Sequence, residues 1–110
     1  MSYSILPTSR FEKELKRLVK KFPSLKMEFK ELIDELSINP ESGTSLGSNC
    51  YKIRVAIQSK RKGKSGGARA ITYVYVNTET LYLLSIYDKS EKESLKPNEL
   101  KVMIESLELE

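Results

Sequence analysis

The segment KRKGKSGGAR (60–69) carries four cations in its first five residues, then two glycines and a further arginine, Arg69. No acid lies between Glu41 and Glu79, yet that window holds Lys52, Arg54, Lys60, Arg61, Lys62, Lys64 and Arg69. Of the 19 Lys and Arg in the chain, these seven leave 12 to face all 15 Asp and Glu, so the net charge of +4 is concentrated in one block. A surface of one sign attracts polyanions, of which nucleic acid is the commonest in a cell. Cations neutralise phosphates, arginine grips a phosphate through two hydrogen bonds, and tyrosine rings stack on unpaired bases. The plain alternative is a solvated loop that keeps the protein soluble.

A second group follows at Tyr87, Lys89, Glu91 and Lys92. There is no histidine, so any proton transfer falls to Lys, Tyr, Asp, Glu or the substrate itself. The serines therefore have no imidazole to activate them. One cysteine, Cys50, permits no internal disulfide, which fits a reducing cytoplasm, and with no histidine it builds no zinc site within one chain. Cys50 reads as a packed strand residue. GKSGG lacks the upstream glycine and the following helix of a phosphate-binding loop, which argues against an NTPase.

The elements that must position these groups follow from periodicity. At 110 residues, with 39% hydrophobic and 31% charged, the chain reads as one globular domain over 1–110. It has no apolar run long enough to span a membrane. MSYSILPTSRF lacks the basic-then-apolar pattern of a secretory leader. Residues 2–6 predict a short strand, and Ser9 with Glu12 predicts a helix start closed by a capping box. Phe11, Leu15, Leu18, Val19 and Phe22 form one helical stripe, and Leu25, Phe29, Leu32, Ile33 and Leu36 form another beyond Pro23. Together they predict a helical hairpin, ended at Asn39–Pro40.

Residues 41–49 read as loop from their Gly, Ser and Asn content. The period then becomes two. In 51–57, Tyr51, Ile53, Val55 and Ile57 face one way and Lys52 and Arg54 the other. The stretches 68–76 and 81–88 predict two more strands, paired as a hairpin, and a last helix begins at Pro97 with Leu100, Met103, Ile104 and Leu107 as its stripe. The order β-α-α-β-β-β-α predicts an α+β domain: an antiparallel sheet with the helices on one face. The opposite face would then collect Lys52, Arg54, Arg69 and Tyr73 with Tyr87, Lys89, Glu91 and Lys92.

FEKELKRL in the first helix, YKIRVA, GKSGGARAITYVY and LYLLSIYDKSEKESL together resemble the RelE/ParE superfamily of bacterial toxins, close to its HigB-like branch. The resemblance runs from about residue 8 to 107, and that family has the same element order. It implies the small toxin of a type II toxin–antitoxin pair, neutralised by a cognate antitoxin and acting as an mRNA interferase at the ribosome, with no cofactor. Arg69 matches the family's strand arginine. Lys60, Arg61, Lys62 and Lys64 match its basic loop, and Lys89 and Lys92 match the basic residues after the last strand, with Tyr87 just before. Some members carry a catalytic tyrosine in the final segment, and no tyrosine follows Tyr87 here.

The resemblance thus implies Arg69 as clamp on the scissile phosphate, Lys89 or Lys92 in proton transfer, and Glu91 as a base or as the partner orienting a lysine. Lys52, Arg54, the basic loop and Tyr73 would contact RNA. Two other functions stay open: a ParE-like inhibitor of DNA gyrase, and an RNA-binding module without catalysis.

Overall fold

The period-two stretches form strands and the amphipathic stripes form helices in the computed structural model, which describes residues 3–60 and 67–107. In chain order these are β1 (Ser4–Pro7), α1 (Ser9–Lys21), α2 (Leu25–Ile38), β2 (Thr44–Gly47), β3 (Cys50–Val55), β4 (Ala68–Tyr75), β5 (Thr80–Asp88) and α3 (Pro97–Glu105). Single 3-10 turns lie at Gln58–Lys60 and Val76–Thr78. The strands form one sheet in the order β1-β5-β4-β3-β2. Among the described residues, no helix is long and apolar enough to cross a membrane.

Side chains alternate across the sheet, and each face has its own core. On the first face, Ile53, Val55, Ala68, Ala70, Val74, Leu81, Leu83 and Ile86 pack against Phe11 and Leu18 of α1 and Leu25, Leu32 and Leu36 of α2. On the second, Cys50, Ile71, Leu84 and Tyr87 pack against Met103, with Leu100, Ile104 and Leu107 beside it. The expectation that all the helices share one face is therefore corrected. α1 and α2 cover the first face, and α3 lies on the second, beside the predicted functional side chains. A stripe of Leu, Met and Ile buries equally well on either face, so periodicity alone does not choose.

The expected antiparallel sheet is mixed. β2, β3, β4 and β5 are antiparallel neighbours, but β1 runs parallel to β5, with Ser4 opposite Thr80 and Pro7 opposite Leu83. Parallel neighbours need a long crossover, and α1 through β4 supply it. The expected loop at 41–49 also contains a strand. β2 pairs with β3 through a turn in which Gly47, Ser48 and Asn49 all have positive φ (83°, 52° and 63°). All four β2 residues are exposed, so the strand has no buried face to impose a period-two signature. Gly43 permits the approach to β3. Its φ is +98°, and a Cβ there would lie 2.5 Å from the Lys52 carbonyl oxygen.

The start of α1 differs from expectation by one residue. Thr8, not Ser9, is the cap: its hydroxyl accepts the Phe11 N–H at 3.2 Å and donates to the Leu83 carbonyl at 3.0 Å. The cap therefore fastens α1 to β5 as well as ending it, which favours Thr8 over its neighbour. With Thr8 at the cap, Glu12 falls one place beyond the position that a capping box requires.

Candidate functional site

Register builds the centre of the site. Arg54 of β3 lies opposite Arg69 of β4, and Arg69 lies opposite Tyr87 of β5. Residues directly opposite across neighbouring strands share a face, so the three form one row across the second face. Two like charges set opposite one another repel, and an anion seated between them relieves that repulsion. Arg54 is exposed, whereas Arg69 is only 3% exposed. The Arg69 guanidinium donates to the Ala68 carbonyl at 3.1 Å. Arg69 thus lies beneath the surface, and Arg54 reaches solvent.

Gly67 sets how closely the strands approach here. A Cβ at Gly67 would lie 2.2 Å from the Val55 carbonyl oxygen, so any side chain would push β4 away from β3 beside Arg69. The glycine pair of the basic segment therefore has a packing reason at its second member.

Tyr87 is 6% exposed, and its hydroxyl is buried with no hydrogen-bond partner among the described residues. Burial pushes its pKa up, and nearby Glu99 adds to this while Arg69 opposes it. The phenol is protonated at neutral pH, a donor without an acceptor among the described residues. Lys92 places its ammonium 6.0 Å from the centre of the Tyr87 ring. The chain between them turns about Asp88, which is buried. The Asp88 carboxylate accepts from the Ser90 N–H at 2.9 Å and its hydroxyl at 2.7 Å, and the Asp88 carbonyl accepts from the N–H of Glu91 and Lys92, each at 3.0 Å.

Glu99 of α3 is a site neighbour that the sequence reading missed. Its carboxylate accepts from Lys92 Nζ at 2.7 Å, from the Lys96 N–H at 3.0 Å and from Arg10 of α1 at 3.5 Å. These donors, the Lys92 ammonium foremost, hold its pKa down at about 2. The available signal was its place three residues after Lys96, where a helical glutamate reaches back to the cap N–H.

The remaining candidates divide. Lys52 lies opposite Ile71 and lines a cleft with Tyr87. Lys89 follows β5, and its N–H donates to the Gly67 carbonyl at 3.1 Å, which places it where the basic segment joins β4. Glu91 is not with the row. It pairs with Arg17 at 2.5 Å and Lys21 at 3.5 Å on α1, and these cations lower its pKa, so it is a weak base turned toward the other face. Tyr73 is also apart. Its ring stacks with Tyr75 and Tyr82, each at 6.4 Å between ring centres, and it lies four strand positions, about 13 Å, from Arg69. Arg61, Lys62 and Lys64 lie outside the described residues, and only the backbone of Lys60 is described. Burial raises the Cys50 thiol to about 11, which leaves it an inert packing group.

A family model described as "RelE toxin of RelE / RelB toxin-antitoxin system" matches residues 10–107. Among solved structures, an arginine double mutant of E. coli toxin RelE in the free state superposes with a TM-score of 0.62 at 20% identity, covering 84% of this chain and 90% of that one. The isolated E. coli RelE toxin gives 0.62 at 18% identity over 96% and 100% of the two chains. The intact E. coli RelBE toxin–antitoxin complex gives 0.61 at 21% over 79% and 96%. At these identities the likeness is one of fold.

Proposed function

Because this chain belongs to the RelE family of toxins from toxin–antitoxin systems, we propose that it is a ribosome-dependent mRNA interferase, held inactive in the cytoplasm by a cognate antitoxin. The row Arg54–Arg69–Tyr87 carries this reading: two cations and a protonated phenol in register on one face.

The reaction is written with the RNA, this surface and solvent water. The ribose 2′-oxygen attacks the adjacent phosphorus, the bond from phosphorus to the 5′-oxygen breaks, and a 2′,3′-cyclic phosphate and a 5′-hydroxyl result. The 2′-proton passes to solvent and the leaving oxygen must gain one. In this reading the phenol of Tyr87, whose pKa burial raises further, supplies that proton. Arg54 meets the non-bridging oxygens, and Arg69 adds its field from below. Stabilising charge as it develops on phosphorus is usually the largest single contribution. Lys92, held over the Tyr87 ring by Glu99, adds a further cation. Lys52, Lys89 and the basic segment 60–64 guide the RNA backbone. Glu91 and Tyr73 have no part in the chemistry.

The antitoxin partner follows from the family and from a solved relative seen as a RelBE toxin–antitoxin complex. The deciding experiment is brief induction in growing cells with new mRNA 5′ ends mapped against reading frame. Cuts phased to codons are expected, and they should disappear in Arg54→Ala. Accumulated DNA breaks with intact message would replace this reading with gyrase inhibition. RNA binding without cuts on translating ribosomes would replace it with a binding module.

A further inference from the structure

Tyr87 reaches the row only because β5 is irregular. Register sets Leu83 opposite Thr72 and Ser85 opposite Ile71, so Leu84 is an extra residue in the ladder, a β-bulge. Leu81 and Leu83 pack in the first core, and strict alternation would carry Ser85 and Tyr87 to that same face, beneath α1 and α2. The bulge changes the count by one. Ile86 takes the first face and Tyr87 the second. Such an irregularity disrupts the ladder, and the backbone groups it frees need other partners. β1 cannot supply them, since it ends at Pro7 opposite Leu83. α1 and its cap take over where the strand stops. Thr8 donates its N–H and its hydroxyl to the Leu83 carbonyl, each at 3.0 Å. One oxygen of the Glu14 carboxylate, Oε1, accepts the Ser85 hydroxyl at 2.8 Å and the Ile86 N–H at 3.2 Å. Ser85 and Ile86 are both buried.

We propose that Glu14 is a positioning residue for the cleavage: by gripping β5 immediately past the bulge, it keeps the Tyr87 ring in the row with Arg54 and Arg69. This role rests on the interferase reading. Glu14 belongs to α1 and acts through the strand backbone, without touching the RNA. Removing its carboxylate leaves a buried N–H without its acceptor at Ile86, and the residue that follows is Tyr87. The second Glu14 oxygen accepts from Arg10 at 3.4 Å, and Arg10 also reaches Glu99 at 3.5 Å, the acid that holds Lys92 beside the Tyr87 ring. One end of α1 thus sets both the phenol and the cation next to it.

The test measures mRNA cleavage by the full chain against the concentration of translating ribosomes. Glu14→Ala should lower the maximal rate about a hundredfold, the weight of a reacting group displaced by an ångström, and leave the half-saturating concentration unchanged. Glu14→Gln should cut at close to the wild-type rate, because its amide oxygen still accepts both bonds and Arg10 keeps Glu99. If Glu14→Ala does not fold, Glu14→Asp replaces it, with the carboxylate drawn back from β5 by one methylene. In a Tyr87→Phe background the Glu14 substitution should cost nothing more, since groups acting as one unit are not additive. The same loss in both backgrounds makes Glu14 a general support of the fold and overturns the proposal. So does a wild-type maximal rate in Glu14→Ala, or a loss confined to the half-saturating concentration. In parallel, the Tyr87 ring signals are followed by NMR and identified by their disappearance in Tyr87→Phe. They should move in Glu14→Ala and return in Glu14→Gln. If the wild type cuts nothing, the interferase reading fails and the NMR decides the positioning alone: a Tyr87 ring unmoved in Glu14→Ala overturns it.

Discussion

Tyr87 separates folding from chemistry more cleanly than any other residue in the row. A buried hydroxyl with no partner among the described residues contributes little to stability, since removing it leaves none of them unpaired. Tyr87→Phe should shift stability by less than about 1 kcal/mol, as thermal unfolding would show, while mRNA cleavage falls by roughly 10²–10⁴-fold, the range for losing a positioned proton donor. Arg54→Ala is the matching test of charge. It removes an exposed cation, so stability should stay within about 0.5 kcal/mol. The dependence of RNA affinity on salt should flatten by about 0.7 in log–log slope, the share of one phosphate contact on a single strand. Arg69 is a poorer first target, because its burial mixes loss of packing with loss of charge. The sequence showed that Arg54, Arg69 and Tyr87 were candidates. Their alignment depends on strand register, which the intervening segment 56–67 hides from any periodicity.

At the scale of elements, α3 is held to the second face partly by the Glu99 carboxylate, which joins Lys92, the Lys96 N–H and Arg10. Its folded pKa of about 2 lies below its ordinary value of 4.5. The stabilisation is therefore complete above about pH 4.5 and is lost as pH falls toward 2. Melting temperature should decline over that window, and Glu99→Gln should reduce the slope. What remains comes from groups such as Glu91, which is shifted in the same direction. Gly43→Ala tests the β2–β3 pairing. It forces a side chain into a left-handed backbone and against the Lys52 carbonyl, so a loss of more than about 1 kcal/mol is expected in denaturant unfolding. The helical hairpin, the last helix and β3 were legible from their periods, β4 and β5, buried on both faces, from their β-branched and aromatic residues, and β1 as the short strand expected at residues 2–6. β2 was not, being exposed throughout, and neither was the face chosen by α3.

At the scale of the molecule, charge and fold were read from different features. The acid-free window raises the expectation of a polyanion-binding surface before any element is placed, because a block of like charge is a property of composition. The parallel pairing of β1 with β5 joins residues 76 apart in sequence, and nothing local encodes that. The same pairing has a consequence for how the protein is made. β5 is flanked by β1 and β4, it receives the Thr8 cap of α1, and it carries Tyr87 near its end. It is also the last strand to be synthesised. Until it emerges, the N-terminal strand and helix have no seat on the sheet, and the row has only its two arginines. A nascent chain therefore assembles the complete row only after β5 has emerged.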